Sequence, residues 1–282
     1  MNNKITAKIG LIIVTIIWGV TFILVKQALN NCPPFLFATL RFGLATILAV
    51  ALVNRKLFNL SINELLGGII CGFLLFLGYS FQNFGLIYTT ASKSAFITSV
   101  SVLLVPILLI TFKLQEVRKR IWISVLFATL GLYLLILPGG DGANLGDILT
   151  SGCAISFALH IIAQDNYIKK KIRLLPFFCI QSGCVTFFSF VNAQIFESQD
   201  IIWSSQLLSA IIVTGVLATF VAFLIMIWAQ NILNPSETAI IFSVEPLAAA
   251  IFATAFGGEL LGLWGWIGGG LVCLAVAYGE SE

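Results

Sequence analysis

The chain has 282 residues, of which 59% are apolar and 10% charged, with a formal net charge of +3 and a mean hydropathy of +1.05. Soluble domains carry about 25% charged and about 45–50% apolar residues, so the composition excludes a water-soluble fold and assigns most of the surface to lipid. No polar face gathers Lys and Arg, which excludes nucleic acid as a partner.

A membrane helix needs about 20 mostly apolar residues. In chain order, the runs that meet this are Lys8–Leu29, Phe35–Val53, Leu65–Tyr88, Ser92–Phe112 and Ile121–Leu137. They continue with Leu145–Gln164, Leu174–Phe196, Gln206–Ala229, Ser236–Phe256 and Leu261–Tyr278. Barrel strands need only about 9–11 residues and alternate in polarity, and in lipid the backbone must satisfy itself. The fold class is therefore an all-α integral membrane protein of about ten transmembrane helices. The first run follows Lys4 and Lys8 as a signal peptide would, but its apolar core is too long for one, and it reads as a retained helix. The connections are short and leave no room for a soluble domain.

Orientation follows from Lys and Arg. With the N-terminus placed in the cytoplasm, the inner segments hold Lys4, Lys8, Arg55, Lys56, Lys113, Arg118, Lys119, Arg120, Lys169, Lys170, Lys171 and Arg173. The outer loops hold Asp141, Asp147, Glu197 and Asp200 and almost no basic residues. Both termini are expected in the cytoplasm. Lys26, Arg41 and Lys93 escape the pattern, each within or beside a span.

The two halves resemble each other. Aligned without gaps, the fourth and ninth spans match at Ser92/Ser236, Ala95/Ala239, Ser99/Ser243, Val100/Val244, Leu103/Leu247, Ile107/Ile251 and Phe112/Phe256. Trp122 and Trp266 follow in the same register, and Trp18-Gly19 faces Phe157-Ala158 as a plausible counterpart. Each half, 1–140 and 141–282, holds an odd number of spans, so the second enters the membrane from the opposite side. Two inverted repeats of about five helices are predicted, with a site between them near the bilayer midplane.

These residues carry a family resemblance. Trp18-Gly19 and Ala38-Thr39-Leu40-Arg41 in the first half, Ser243-Val244-Glu245-Pro246, Gly258-Glu259 and Trp266-Ile267-Gly268 in the second, and Gln115-Glu116 with Trp122 and Gly131 resemble an EamA-type member of the drug/metabolite transporter superfamily. The likeness covers nearly the whole chain. The first half departs from the pattern at Gln115, where glycine is usual, and at Ser101-Val102, where the second half has Glu245-Pro246. The resemblance implies about ten helices with both termini inside, and movement of small metabolites, amino acids or drugs across a bacterial inner membrane. It does not name the substrate.

Polar groups at membrane depth are functional candidates, because each ionisable one costs roughly 2.5–3.5 kcal/mol to insert. Glu245, near mid-span and just before Pro246, either meets a substrate amine, carries a proton, or anchors the backbone that the proline frees. His160, the one histidine, lies on a stripe with Ser156 and Gln164 and either relays a proton or makes a buried hydrogen bond. Tyr79, Gln82 and Asn83 share a face of the third span, and Ser94, Thr98 and Ser101 share a face of the fourth. Two such stripes either line a cavity or bond between helices, at about 1 kcal/mol each. Trp18 and Trp228 are candidate aromatic walls or interfacial anchors. Lys26 and Arg41 are expected to snorkel, with attraction of an anionic substrate as the alternative. Gly68-x-x-x-Gly72 and Gly265-x-x-x-Gly269 are packing positions that allow a monomer or a homodimer.

Cys32, Cys71, Cys153, Cys179, Cys184 and Cys273 lack zinc-site spacing and read as small apolar side chains. No cofactor or metal is expected, and no P-loop is present to bind ATP. The expected function is secondary transport of a small organic solute, an amino acid, metabolite or drug, by alternating access in the direction of efflux. The alternative is uptake of a nucleotide-like metabolite such as S-adenosylmethionine. An intramembrane enzyme is disfavoured because His160 and Ser156 lack a third catalytic group, and a non-transporting scaffold because it needs no polar stripes.

Overall fold

The computed structural model describes residues 2–53, 59–136, 144–258 and 262–280. Arg55, Lys56, Asp141, Glu259 and the span ends at Leu137 and Leu261 lie outside them. The described residues form helices and connecting turns with no strand. The first repeat contains α1 (Asn2–Ala28), α2 (Pro34–Val53), α3 (Ile62–Tyr88), α4 (Ala91–Ser99), α5 (Ser101–Thr111) and α6 (Lys119–Ile136). The second contains α7 (Leu145–Ile168), α8 (Leu174–Phe196), α9 (Ser205–Ile212), a π-helical segment (Val213–Val221), α10 (Ala222–Gln230), α11 (Pro235–Phe242), α12 (Glu245–Gly257) and α13 (Leu263–Glu280). Among the described residues, eight stretches are long and apolar enough to cross a membrane, and Leu263–Tyr278 is a shorter apolar helix.

Three predicted spans are interrupted. Pro246 has no N–H for the Phe242 carbonyl and its ring crowds that group, so α11 ends and α12 begins around Ser243–Val244. There Ser243 N donates to Ile240 O at 3.0 Å and Val244 N to Ile241 O at 3.2 Å, one tight 3₁₀ turn. The Ser243 hydroxyl also donates to Ile240 O at 2.6 Å. The break between α4 and α5 falls at Val100, which the repeat alignment pairs with Val244. Ser99, the partner of Ser243, back-bonds to Ala95 O at 3.0 Å, a contact that bends helices. The third interruption is the π-helical segment. Sequence periodicity does not register it, because a π turn changes hydrogen bonding without changing composition.

The packing repeats with the chain halves exchanged. α2 lies on α8 and α6 on α13; α1 lies on α12, and α7 lies on α4 and α5. This is the pattern of a pseudo-two-fold axis in the membrane plane. Thr46 at the α2–α8 contact bonds Ser182 Oγ at 3.1 Å and Thr186 Oγ1 at 3.3 Å. The outer surface is apolar, with Ile47, Leu126, Phe187 and Trp264 exposed as a lipid-facing side chain would be.

Ion pairs sit at the two ends of the bundle. At the end where α1 begins, called here the N face, Arg173 Nε donates to Glu64 Oε1 at 2.7 Å, which joins α8 to α3. That bond raises the Arg173 pKa above its ordinary value. Lys4 pairs there with Glu237 at 3.1 Å. At the far face, Glu197 accepts from Phe35 N at 2.7 Å and Leu36 N at 2.9 Å and so caps α2. Burial raises the Glu197 pKa, and the two N–H donors pull it back. Burial also pushes the nearby Cys32 thiol up to about 12, with the Glu197 charge adding to it. Lys26 reaches Thr89 O at this face rather than snorkelling to solvent. All six cysteines are free thiols.

Gly72 sets the α3–α8 distance. A Cβ there would stand 2.5 Å from Cys184 Cβ and 2.6 Å from the Gln181 carbonyl oxygen. Gly72→Ala is expected to cost about 1–3 kcal/mol by overpacking, seen as a lowered Tm of the detergent-purified protein. Gly183→Ala is the control: its Cβ meets only Thr46 Cγ2 at 3.7 Å, and its Tm should not fall.

Candidate functional site

The two helix breaks face a narrow central cavity of about 50 Å³. Its walls come from both repeats. α1 supplies Trp18, Thr21 and Phe22, α2 Arg41, and α3 Leu75, Tyr79 and Gln82. Thr98, Ser99 and Ser101 come from the first break, and Phe157, His160 and Ile161 from α7. Phe223 and Met226 come from α10, and Phe242 and Glu245 from the second break.

Seven of the residues expected at a site therefore meet here: Trp18, Tyr79, Gln82, Thr98, Ser101, His160 and Glu245. Asn83, Ser94, Gln164 and Trp228 do not line the cavity. Asn83 Nδ2 donates to Pro34 O at 3.3 Å, and the Ser94 and Thr150 hydroxyls lie 3.5 Å apart. Both thus bond between helices, which is the alternative the polar stripes left open. Trp228 is partly buried, with its ring beside Gly10 of α1. Gln164 Nε2 donates to Gln230 Oε1 at 2.6 Å on the N-face side of the cavity. Gln230 in turn lines a vestibule at that face together with Asp165, Lys169 and Asn234. The glutamine pair thus separates the vestibule from the cavity.

Arg41 departs from expectation. It does not snorkel: it is 2% exposed and lines the cavity. Its Nε donates to Thr219 Oγ1 at 2.8 Å, its Nη2 lies 3.4 Å from the Tyr79 hydroxyl, and its guanidinium stacks 4.5 Å from the Tyr79 ring centroid. Thr219 belongs to the π-helical segment, whose Ala218 carbonyl also accepts from Trp18 Nε1 at 2.8 Å. Single-turn π distortions gather at functional sites, and here the distorted backbone holds two cavity residues. Glu245 is 8% exposed, and among the described residues its carboxylate has no hydrogen-bond or ion-pair partner. Among the described residues it makes no hydrogen bond to the turn beside Pro246, where the Ser243 hydroxyl bonds the Ile240 carbonyl.

Position explains the rest. Gly19 lets α1 lie directly on the second break: a Cβ there would stand 2.6 Å from Ala248 Cβ and 2.9 Å from the Glu245 carbonyl oxygen. Trp18 packs edge-on against Phe242 at 5.1 Å and tilted against Phe223 at 5.4 Å. Phe157, aligned with Trp18 between the halves, packs edge-on to Tyr79 at 5.2 Å in the same cavity. Toward the N face, His160 Nε2, Gln164 Oε1, Gln230 Nε2, Thr238 Oγ1 and both polar atoms of Gln181 are buried without a protein partner. Buried polar atoms left with no partner at all cost about 1–3 kcal/mol each, and in this seam the His160 and Gln181 side chains face each other.

A helical multi-pass membrane protein built of two inverted repeats around a charged central cavity has the architecture of a transporter. The chain belongs to the EamA-like transporter family, which it matches over residues 5–137 and again over 144–278. It is 34% identical to an uncharacterized transporter of Archaeoglobus fulgidus over 97% of this chain and 85% of that one. It is 23% identical to the uncharacterized transporter YoaV of Bacillus subtilis over 88% of this chain and 87% of that one. A protein of Escherichia coli named "Probable amino-acid metabolite efflux pump" is 32% identical over 57% of this chain and 52% of its own length. A solved crystal structure shares the fold with a TM-score of 0.80 at 15% identity, covering 98% of this chain and 96% of that one.

The seam makes a prediction about stability. Gln181→Met removes two unpartnered polar atoms and is expected to raise the Tm. Gln164→Leu alone leaves Gln230 fully unpaired and should cost about 1–3 kcal/mol, whereas Gln164→Leu with Gln230→Leu should recover most of that loss. Thermal unfolding of the four purified proteins checks it.

Proposed function

We propose that the protein is a secondary transporter that carries a small organic solute out across a bacterial inner membrane by alternating access. The observation that carries this reading is the cavity between the repeats, bounded by two aligned helix breaks and by both charged groups. The repeats, 1–140 and 141–282, are the halves that rock against each other around it. The Gln164–Gln230 contact is the gate toward the N face. Its neighbours lack partners in this conformation because they line the open path in the other. The likeness to the E. coli efflux pump supports export of an amino acid or related metabolite.

The N face is the cytoplasmic one in this reading. Lys4, Lys8, Lys113, Arg118, Lys119, Arg120 and Lys169–Lys171 gather at that end of the helices, while Asp147, Glu197 and Asp200 lie at the other. Both termini are then cytoplasmic. Glu245 and His160 are the cavity groups able to carry a coupling proton, Glu245 first because no protein group holds it.

In proteoliposomes, solute movement is expected to follow an imposed pH gradient and to collapse when an ionophore dissipates it. Solute that never moves under any gradient would overturn the transport reading. Glu245→Gln is expected to lose at least about tenfold of the gradient-driven rate, since a positioned proton-transfer group is worth roughly 10²–10⁴. Unchanged pH-driven transport with an unchanged pH profile would remove Glu245 from the coupling step.

A further inference from the structure

Two opposite charges face the central cavity without meeting. The Arg41 guanidinium does not deprotonate in proteins, and it has five N–H donors. Its two hydrogen bonds go to neutral hydroxyls, those of Thr219 and Tyr79, and it rests on the rings of Tyr79 and Phe42. Among the described residues no carboxylate pairs with it. Glu245 on the second break lies in the same cavity with no cation on its carboxylate and no ion pair to Arg41. The carboxylates that do hold cations elsewhere in the bundle hold them tightly: Lys169–Asp165 at 2.6 Å, Lys93–Asp147 and Arg173–Glu64 at 2.7 Å, and Lys4–Glu237 at 3.1 Å. All four lie at helix ends. Among the described residues, Arg41 and Glu245 at the centre have no such ion pair.

A buried charge is costly until it is paired. One charge of each sign, held apart in one cavity, is satisfied by a ligand that carries both. We propose that Arg41 and Glu245 form a recognition site for a zwitterion. The ligand carboxylate takes uncommitted N–H donors of Arg41, whose planar fork suits a carboxylate. The ligand ammonium takes the Glu245 carboxylate. The rest of the wall includes an aromatic group, Trp18, Phe157, Phe223 and Phe242, so the preferred solute has an aromatic or branched aliphatic side chain. Specificity has a repulsive half as well. A simple amine satisfies Glu245 but buries Arg41 beside a second cation; a simple carboxylate does the reverse. The site thus selects against the cationic drugs and organic anions that a merely apolar cavity would admit.

The proposal rests on the transporter reading for its use, and its binding chemistry is testable apart from transport. Calorimetry on the detergent-purified protein would compare L-phenylalanine with 2-phenylethylamine and 3-phenylpropionate, which share its ring and each lack one charge. L-leucine is the aliphatic zwitterion. L-phenylalanine or L-leucine is expected to bind, with both singly charged probes at least about thirtyfold weaker. Glu245→Gln should abolish the preference over 3-phenylpropionate. Arg41→Met should abolish the preference over 2-phenylethylamine, with partial retention in Arg41→Lys. If Arg41→Met fails to fold, the probe series on the unmodified protein decides alone. Equal binding of a singly charged probe, or no binding of either zwitterion, overturns the site. A zwitterion that binds with this pattern but never crosses a proteoliposome membrane overturns the transport reading and leaves the site. A transported solute lacking one of the two charges overturns the site and leaves transport.

Discussion

The structure depends on one constraint: in hydrocarbon, a backbone polar group or a charge must find its partner inside the protein. Most of the chain meets it with continuous helix. Three stretches do not: the turn at Val100, the turn at Ser243–Val244 and the π-helical segment Val213–Val221. The two turns border the central cavity, and the π segment holds two of the side chains that line it, Arg41 and Trp18. Irregular backbone at membrane depth is tolerated where it lines such a space, so the cavity and the breaks require each other. The hydroxyls of Ser99 and Ser243 occupy carbonyls beside the breaks, and Thr219 and Ala218 on the π segment are engaged by Arg41 and Trp18.

The same constraint explains why the family-like motifs lie where they do. Trp18-Gly19 and Ser243-Val244-Glu245-Pro246 are far apart in sequence and belong to different repeats, yet they form one contact. Gly19 has no Cβ because the Glu245 carbonyl and the Ala249 amide already fill that space. Trp18 must then project beside Phe242, and its indole N–H reaches Ala218 O. In the proposed rocking of one half against the other, this close contact is where a fulcrum would lie.

The helical membrane fold, the fourth and ninth spans as an aligned pair, and Glu245 as a charge at membrane depth were legible in the chain, because length, alignment and an isolated charge are one-dimensional signals; that both spans break was not. Arg41 was not. A lysine or arginine a few residues inside a span can reach the interface or turn inward with the same sequence, and only the packed Tyr79 and Phe42 rings choose between them. The aromatic wall was hidden for another reason. Phe157, Phe223 and Phe242 are three among 24 phenylalanines, and lipid rewards an outward phenylalanine as much as a cavity rewards an inward one. Gln164 was read onto the cavity because it shares a stripe with His160, but one helical turn further along α7 is enough to place it against Gln230 instead.

That turn separates two kinds of polar group with different physical tasks. Around the cavity, the polar groups face the central space, where in the proposed reading a ligand would offset their cost. Along the seam beyond His160, at Gln164, Gln181 and Gln230, the polar side chains do not line it. A protein selected for stability alone would fill such a seam with leucine, since removing both partners of a buried polar contact is close to neutral. Retaining glutamines there makes sense when the seam must also be wetted. In the proposed alternating-access reading, a polar seam closed by the short Gln164–Gln230 contact is the element that would have to open for release on the other side.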